Sequence, residues 1–438
     1  MKRRNILQVT AAGMGAGMAP WAFSQGSSAM LKPGKPYAGT EVNLLTVVAP
    51  QFKAHEAKLA EFEALTGIKV KYQYVPFGAT REKLTAELVG ASAQYDVLSA
   101  MDVWGPSLYN LFEPLNGMLA EKKIDMQARY PYAHLRAARD GNGSGKNVLG
   151  FPIRGHVQLM FYRKDIFNQL GLKPPATWND MVEAGKLIQS KTNLSGVAMY
   201  YGKTGGQNLM IWFNYLWGMG GDLLDAKGQP AFNSPAGIAA TQAYMDVLIK
   251  HKAAPAAAAS FNETDAVNSV AQGKSAMVPV WWWRYASLVD PKTSTLKPEQ
   301  VGFAPLPSMP GKENTTYTNT WFYGINKNSK KKAAAMEFLT WLSDPEIERS
   351  VLLDKSMNEV VAMQTKNLLD GDVNARYNGM HVYGAQALKG AKGTPLFAQW
   401  PQVSDVLEAT ISELASGQKQ VKPALDEAAA KVRRIMRA

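Results

Sequence analysis

The segment from residue 148 to residue 178 changes its hydrophobic period within a few positions. Residues 157–162 form a mostly apolar run of bulky side chains, which is typical of a buried strand. Apolar residues within 166–170 then recur with the spacing of a helix face, and Gly171 stands where a left-handed cap would end that helix. Residues 177–180 have the capping-box spacing that opens another helix. A buried strand followed at once by two helices indicates an α/β domain.

The beginning of the chain repeats this alternation. Residues 41–75 predict a strand, a helix at 53–66 and a second strand, which together begin a parallel sheet. A further strand is predicted at 95–98, and Asp102 and Trp104 follow its end. Ligands of open α/β sheets bind beyond the carboxyl ends of the strands, so these two residues are candidate ligand contacts.

The length and the composition limit the class of protein. A chain of 438 residues fits two domains that each bury a core, and 46% hydrophobic and 10% aromatic residues are typical of a globular protein. No run of about 18 uninterrupted apolar residues is present, so a stable membrane span is not expected. The sequence contains no cysteine, which excludes disulfides, thiolate metal sites and a lipidated cysteine anchor.

The first 24 residues have the order of an export signal. Lys-Arg-Arg at residues 2–4 precedes a weakly apolar stretch, rich in glycine and alanine, at residues 9–19, and residues 22–24 offer small side chains at two positions. This pattern resembles a twin-arginine signal peptide, with cleavage expected after Ser24. We therefore expect a periplasmic protein that is not lipidated, and a basic tail on a cytosolic protein is the alternative.

The chain is basic. Its formal net charge of +12 falls to +9 when the three cationic residues of the signal, which contains no acid, are removed. A basic chain suggests nucleic acid as a partner. The lysines and arginines are scattered, however, and the densest run, at residues 330–332, stands at a predicted helix start. We expect a solvated basic surface and no nucleic-acid partner, with an anionic membrane or an acidic ligand as lesser alternatives.

Several segments resemble one known family. They are residues 148–178, which begin Val-Leu-Gly-Phe-Pro-Ile-Arg-Gly-His, residues 216–225 with Gly-Gly-Asp, residues 233–235 (Asn-Ser-Pro), residues 270–277 (Val-Ala-Gln-Gly-Lys-Ser-Ala-Met) and residues 301–307. Together they resemble the extracellular solute-binding proteins of the sugar-binding class (family 1), the substrate-binding proteins of ABC transporters. The resemblance implies an α/β, two-lobed periplasmic-binding-protein fold with hinge crossovers and with the ligand in the interlobe cleft.

The resemblance also divides the chain into lobes. Lobe 1 is expected to contain residues 37–153 and 308–354, and lobe 2 residues 154–307 and 355–438. The lobes would close on the ligand by a hinge motion that excludes water. The closed form would then dock on an ABC permease in the inner membrane.

Tryptophans are the strongest candidates for sugar contacts, because a flat ring under the apolar face of a sugar is a natural receptor. Trp281, Trp282 and Trp283 are consecutive, and in an alternating strand one or two of them would point into a lobe core. The resemblance implies that at least one faces the cleft. It also implies a stacking role for Trp321, where residues 318–320 replace small residues of the family. The further candidates, for which core packing is an equal alternative, are Trp104 and Trp400.

Polar candidates would serve the rim of the ligand. Asp102 matches the acidic residue after the family's third strand, whereas Asp222 stands beside glycine, where a turn residue is the alternative. Arg154 lies at the hinge, where it would bridge the lobes, donate to hydroxyls, or bind a carboxylate or phosphate. His156 stands close to a position where the family can use an acid, and this departure would shift specificity. The lesser candidates, which follow the first predicted strand, are Gln51 and His55.

No constellation in the sequence indicates an enzyme, a metal or a cofactor. The five histidines show no metal-ligand spacing, and the sequence has no nucleophile elbow, phosphate loop or dinucleotide fingerprint. A secreted glycosidase or lyase with paired carboxylates stays open as the enzyme alternative. That alternative predicts turnover of the ligand, whereas a binding protein predicts none.

The expected function is that of a monomeric, periplasmic component of an ABC importer. Its expected ligand is a neutral mono- or oligosaccharide or a polyol. The alternative ligand is an anionic sugar derivative, such as a uronate or glycerol phosphate, which Arg154 and the positive net charge favour.

Overall fold

The computed structural model describes residues 30–357 and 359–437, so the expected signal peptide at residues 1–24 lies outside the described residues. The described chain forms nine strands. In chain order they are β1 (Glu41–Val47), β2 (Lys69–Val75), β3 (Val97–Met101), β4 (Phe151–Arg163), β5 (Ser195–Val197), β6 (Ser275–Trp281), β7 (Val301–Pro305), β8 (Thr316–Ile325) and β9 (Ala391–Lys392).

Helices occupy most of the intervals between these strands. In chain order they are α1 (Pro50–Glu56), α2 (Leu59–Thr66), α3 (Phe77–Val89), α4 (Asn116–Glu121), α5 (Met126–Arg129), α6 (Tyr132–Leu135), α7 (Lys164–Gln169), α8 (Trp178–Lys191), α9 (Gln207–Gly218), α10 (Pro235–Leu248), α11 (Glu263–Ala271), α12 (Tyr285–Leu288), α13 (Lys332–Leu342), α14 (Pro345–Leu353), α15 (Thr365–Leu368), α16 (Gly371–Arg376), α17 (Met380–Lys389), α18 (Trp400–Ala415) and α19 (Val421–Arg437). Two short 3-10 helices also matter for the site, Asp102–Ser107 and Trp282–Arg284.

The strands follow the order β2-β1-β3-β8-β4-β6-β5. β1 pairs in parallel with β2 and β3, whereas β8 runs antiparallel to both β3 and β4. β6 is antiparallel to β4 and parallel to β5. Outside this order, β7 pairs with β4 and β9 pairs with β8. The early strands therefore form the predicted parallel unit, and β8 returns to it late in the chain.

Strand β4 joins two groups of strands. Its residues Phe151 to Val157 pair with β8, and its residues from Gln158 to Arg163 pair with β6 and β7. One long strand thus leaves the first group and enters the second, as a hinge crossover does. The residue boundaries of the two lobes stay a prediction.

Local sequence signals set several helix ends as predicted. The capping box of Thr177 and Asp180 is present at the start of α8, and Ser234 caps α10 with Pro235 in its first turn. Gly67 ends α2 with a φ of 71°, a left-handed conformation that glycine adopts without steric cost.

The helix predicted at residues 53–66 is wrong in its continuity. The structure has two helices there, α1 and α2. Helix α1 closes in a tight turn, in which the backbone N–H of Lys58 donates to the carbonyl of His55 at 3.1 Å. This 3-10 type of bond ends the first helix before the second begins.

The late helices attach mainly to the β4–β6 side of the molecule. Helices α18 and α19 pack against each other and against α9 and α10, while α17 lies against β4 and β7. Among the helices of the described residues, we find none that combines the length and the apolar character that crossing a membrane requires.

Candidate functional site

The central strands bring several predicted residues onto one face. Arg154 on β4 pairs with Trp321 on β8, His156 pairs with Asn319, and Gln158 pairs with Trp281 at the end of β6. Directly opposed residues of antiparallel strands point to the same face, and so do residues two apart on one strand. Arg154, His156, Trp321 and Trp281 therefore share one face of the crossover.

The other face of β4 is packed. Trp282 is fully buried there, and its indole N–H donates to the carbonyl of Gly155 at 3.0 Å. A Cβ atom at Gly155 would lie 2.4 Å from the imidazole of His134, so the close approach requires glycine. The structure thus does not bring Trp282 to the face that carries Arg154 and His156.

Trp283 lies just beyond the strand. Because β6 ends at Trp281, Trp283 belongs to the 3-10 helix Trp282–Arg284 and is only half-buried. The guanidinium of Arg154 lies 4.7 Å from the centre of the Trp283 ring, and that of Arg284 lies 4.3 Å from it. The carboxylate of Glu263, at 2.7 Å from Arg284 Nε, holds the second guanidinium in place. The predicted alternating strand was therefore wrong at Trp282 and Trp283, since a turn begins there.

Arg154 is buried without a partner for its Nε atom among the described residues. Burial lowers the pKa of Arg154 to about 10, because a low-dielectric surrounding disfavours the charged form. The negative charges of Glu359 and Glu263 act in the opposite direction. The guanidinium remains a cation at neutral pH and has donor capacity left for another molecule.

His156 is also buried on this face. Its Nδ1 makes a short hydrogen bond with Asn319 Oδ1, and its Nε2 has no partner among the described residues. Burial holds the pKa of His156 well below its usual range, and the neighbouring charge of Arg154 adds to this effect. The imidazole is thus neutral, with one ring nitrogen free. Its ring centre lies 5.1 Å from that of Trp281 and 6.2 Å from that of Trp283.

A second aromatic group adjoins the first. The ring of Trp104 meets the ring of Trp321 edge-on at 5.0 Å, and Phe77 lies 5.8 Å from Trp104. Phe77 is 54% exposed, although it is a large apolar side chain. Edge-on contacts are a favourable arrangement of aromatic rings, and they leave ring faces available to a further group. The group therefore offers a partly open aromatic wall.

Asp102 is engaged by the protein. Its carboxylate accepts from the backbone N–H of Val103 at 2.8 Å and pairs with Arg136 at 3.3 Å. Burial raises the pKa of Asp102 to about 6, against the opposing effect of Arg136. Asp102 and Arg136 form a buried ion pair beside the Trp104 turn.

Two further predicted residues, Asp222 and Trp400, are engaged by other parts of the protein. Asp222 accepts from Trp217 Nε1 at 3.2 Å and pairs with Lys392 at 2.9 Å, at the surface. Trp400 is buried at the start of α18, with its ring 6.0 Å from that of Phe213. These two residues are not in contact with the Arg154 face.

Gln51 and His55 are buried in α1. The Gln51 amide donates to the carbonyls of Ile153 and Val361, each at 3.2 Å, so it ties the hinge strand to a late segment. Burial lowers the pKa of His55 to about 4. The structure gives Gln51 the geometry of a hinge contact.

A cavity of about 780 Å³ is lined in part by Glu359, one of the two carboxylates that act on Arg154. It is lined by side chains from the turn after β1, from α12 and the turn that follows, and from late residues that include Glu359. Ser287 of α12 donates to Glu359 at 2.7 Å, and α12 directly follows Trp283. None of the ten main predicted site residues lines the cavity, so the cavity does not include the aromatic face.

Three residues that take part in the site were not predicted from the sequence. Glu359 and Glu263 come close to Arg154 only through the fold, and no local pattern marks them. Asn319 stands two residues from Trp321 on β8 and so shares its face, but no strand was predicted there from the sequence. Within the described residues, no group of three or more His, Cys, Asp or Glu side chains is placed to hold a metal ion.

Comparison with known proteins gives matches over most of the chain. The sequence model of a family described as bacterial extracellular solute-binding protein matches residues 48–349. A probable amino-acid ABC transporter periplasmic-binding protein of Sinorhizobium fredii is 29% identical over 340 residues, which are 75% of this chain and 74% of that protein. A mannitol-binding protein of Pseudomonas aeruginosa is 26% identical over 291 residues, 64% of this chain and 63% of the relative.

The fold is similar to that of solved two-lobed proteins. An ABC transporter solute-binding protein from Agrobacterium radiobacter K84, in complex with ribitol, superposes with a TM-score of 0.77 at 25% identity. The similarity covers 91% of this chain and 100% of that one. The predicted two-lobed periplasmic-binding-protein fold is confirmed.

Proposed function

Because this chain belongs to the family of bacterial extracellular solute-binding proteins, we propose that it captures a sugar or a polyol between its lobes and delivers it to an ABC importer. It works in the periplasm as a monomer, exported by the signal at residues 1–24 and free of a lipid anchor. It binds without turnover and requires no cofactor.

One observation supports this proposal above the others. Buried polar atoms without a partner among the described residues, on Arg154 and His156, lie beside the half-buried ring of Trp283. A receptor for polyhydroxy compounds needs an aromatic surface for C–H groups and fixed polar groups for hydroxyls. The relatives that bind mannitol and ribitol by name point to the same class of ligand.

We assign the contacts by position. Arg154, His156, Trp281 and Trp283 would contact the ligand directly, and Trp104 and Trp321 would form its second wall. Asp102 would act through Arg136, and Trp282, Asp222 and Trp400, which are engaged by other protein groups, would have a supporting role.

The proposed transport step is closure of the two lobes about β4. Lobe 1 would contain residues 37–153 and 308–354, and lobe 2 residues 154–307 and 355–438. Closure would remove water from the ligand. Small-angle scattering should show a more compact particle when ligand is added.

A thermal-shift screen of the purified protein tests the proposal. The panel holds sugars, polyols, uronates, sugar phosphates and amino acids, the last because one relative carries an amino-acid name. A ligand at about 100 times its dissociation constant stabilises the folded state by roughly 2.7 kcal/mol, which raises the melting temperature measurably. We expect a shift with a sugar or polyol and no loss of that compound on prolonged incubation. A shift confined to amino acids, or consumption of the ligand, would refute the proposal.

A further inference from the structure

Three buried or half-buried polar atoms meet around one ring. Arg154 Nε and Trp283 Nε1 are donors, His156 Nε2 is a ring nitrogen, and none has a hydrogen-bond partner among the described residues. Arg154 and His156 are each 7% exposed, so neither group is freely hydrated. A buried polar group without a partner is costly, which makes a ligand that satisfies all three groups favourable.

Asn319 decides which role the free nitrogen of His156 takes. The Asn319 side chain presents Oδ1 to His156 Nδ1, so Nδ1 carries the proton and donates it. His156 Nε2 is left with a lone pair and acts as an acceptor only.

The charges at this end of the site cancel. Arg154 and Arg284 are the two cations at the Trp283 ring, and Glu263 and Glu359 are the two carboxylates that act on Arg154. Arg284 is paired directly with Glu263 at 2.7 Å. The basic net charge of the chain is therefore not concentrated at these residues, and the site does not require an anion for balance.

We infer that the ligand places a neutral hydroxyl group between Arg154 and His156, accepting from the guanidinium and donating its proton to His156 Nε2. This rests on the proposed function, and it makes His156, oriented by Asn319, the residue that separates neutral polyhydroxy ligands from their acids.

The same geometry disfavours the charged group of any other ligand class at this position. A carboxylate or phosphate dianion has no proton to donate, so one of its oxygens would face the lone pair of His156 Nε2. The ammonium group of an amino acid could donate to Nε2, but the charge of Arg154 lies beside that nitrogen and repels a cation. A hydroxyl group, which both donates and accepts, fits the pair without either conflict.

Isothermal titration of the purified protein with ribitol, D-mannitol and maltose, each beside its aldonic acid, tests the inference. L-Serine serves as the zwitterionic probe. At pH 7 we expect at least one neutral probe to bind, with its acid about tenfold weaker or more, as for an unmatched buried hydrogen bond. The ratio of the two affinities is measured on the unaltered protein and needs no variant.

Three variants then locate the effect. His156→Leu removes the acceptor and should weaken the neutral probe about tenfold or more, whereas His156→Gln keeps an acceptor oxygen and should recover most of the loss. Asn319→Asp adds a negative charge that favours a proton on both ring nitrogens of His156. This variant should therefore reduce the difference in affinity between the neutral probe and its acid. His251→Leu makes the same substitution at a half-buried histidine after α10 and should leave affinity unchanged. Circular dichroism and melting temperature verify that each variant is folded.

The outcomes separate the two proposals. Equal affinity for a neutral probe and its acid, or unchanged affinity in folded His156→Leu, overturns the inference and leaves the proposed function standing. If none of the three neutral probes binds, the inference is overturned as well. If the wider screen of sugars and polyols is also without effect, the proposed function fails with it.

Discussion

Trp282 and Trp283 are neighbours in sequence and opposites in environment. Trp282 is fully buried behind β4, and its N–H donates to the carbonyl of Gly155 at 3.0 Å. Trp283 is half-buried in front of the strand, and its N–H has no partner among the described residues. Both indole rings contact a histidine ring. The two residues differ in whether the protein itself provides a partner for the indole N–H, and this difference separates the packing role from the binding role.

The largest effect should come from removing the packed ring. We expect Trp282→Ala to lower the free energy of unfolding by about 3 to 5 kcal/mol, since it opens a cavity beside His134 and His381 and leaves the Gly155 carbonyl unpaired. Urea denaturation followed by circular dichroism measures this. A loss below about 1 kcal/mol would erase the distinction between the two tryptophans.

Acid should also destabilise the protein on the side of β4 where Trp282 is buried. Burial lowers the pKa of His134 from its usual value to about 4, so the folded protein binds this proton less readily than the unfolded chain. The stability that neutral His134 contributes is present above pH 6.5 and is lost as the pH falls from there toward 4. Between pH 7 and pH 4.5 this loss amounts to about 2 to 3 kcal/mol.

The variant His134→Gln isolates that contribution. Its free energy of unfolding should fall less steeply over the same pH range than that of the unaltered protein, whatever its stability at pH 7. Urea titrations at the two pH values provide both slopes. Parallel slopes would mean that His134 is accessible to solvent and protonates without cost.

Features that depend on neighbouring residues could be predicted from the sequence, whereas features that depend on distant residues could not. The last part of β4 and the helices after it depend on local periods and caps, so residues such as Thr177 and Asp180 predicted them well. The end of β6 at Trp281 had no such signal, since tryptophan suits both a strand and a turn, and the triplet was wrongly placed in one strand. The pairing of Asp102 with Arg136 and the approach of Glu359 to Arg154 join distant segments, which no single-sequence pattern encodes.

On the face that carries Arg154 and His156, Trp283→Ala should affect ligand binding more than folding. A half-buried ring contributes less to the core, so we expect a stability loss below about 1.5 kcal/mol. Ligand affinity should fall by about 2 kcal/mol, or roughly 30-fold, because the stacking surface and an N–H donor both disappear. Calorimetry with the ligand found by screening measures the affinity, and the folded fraction of Trp282→Ala, which keeps Trp283, should bind almost normally. An affinity loss in Trp282→Ala equal to that in Trp283→Ala would contradict the division.

The smallest effect should come from Asp222, because its carboxylate is already occupied by Trp217 and by Lys392 at the surface. The side chains of Asp222 and Lys392 are 43% and 48% exposed, and exposed ion pairs contribute about 0 to 1 kcal/mol. Asp222→Asn should therefore change stability by less than about 1 kcal/mol and ligand affinity by less than about twofold. Asp102→Asn is the matched control, since the same substitution there breaks a buried pair with Arg136 and should cost several-fold more in stability. A large affinity loss in Asp222→Asn would extend the ligand site beyond the Arg154 face to Asp222 and its partner Trp217.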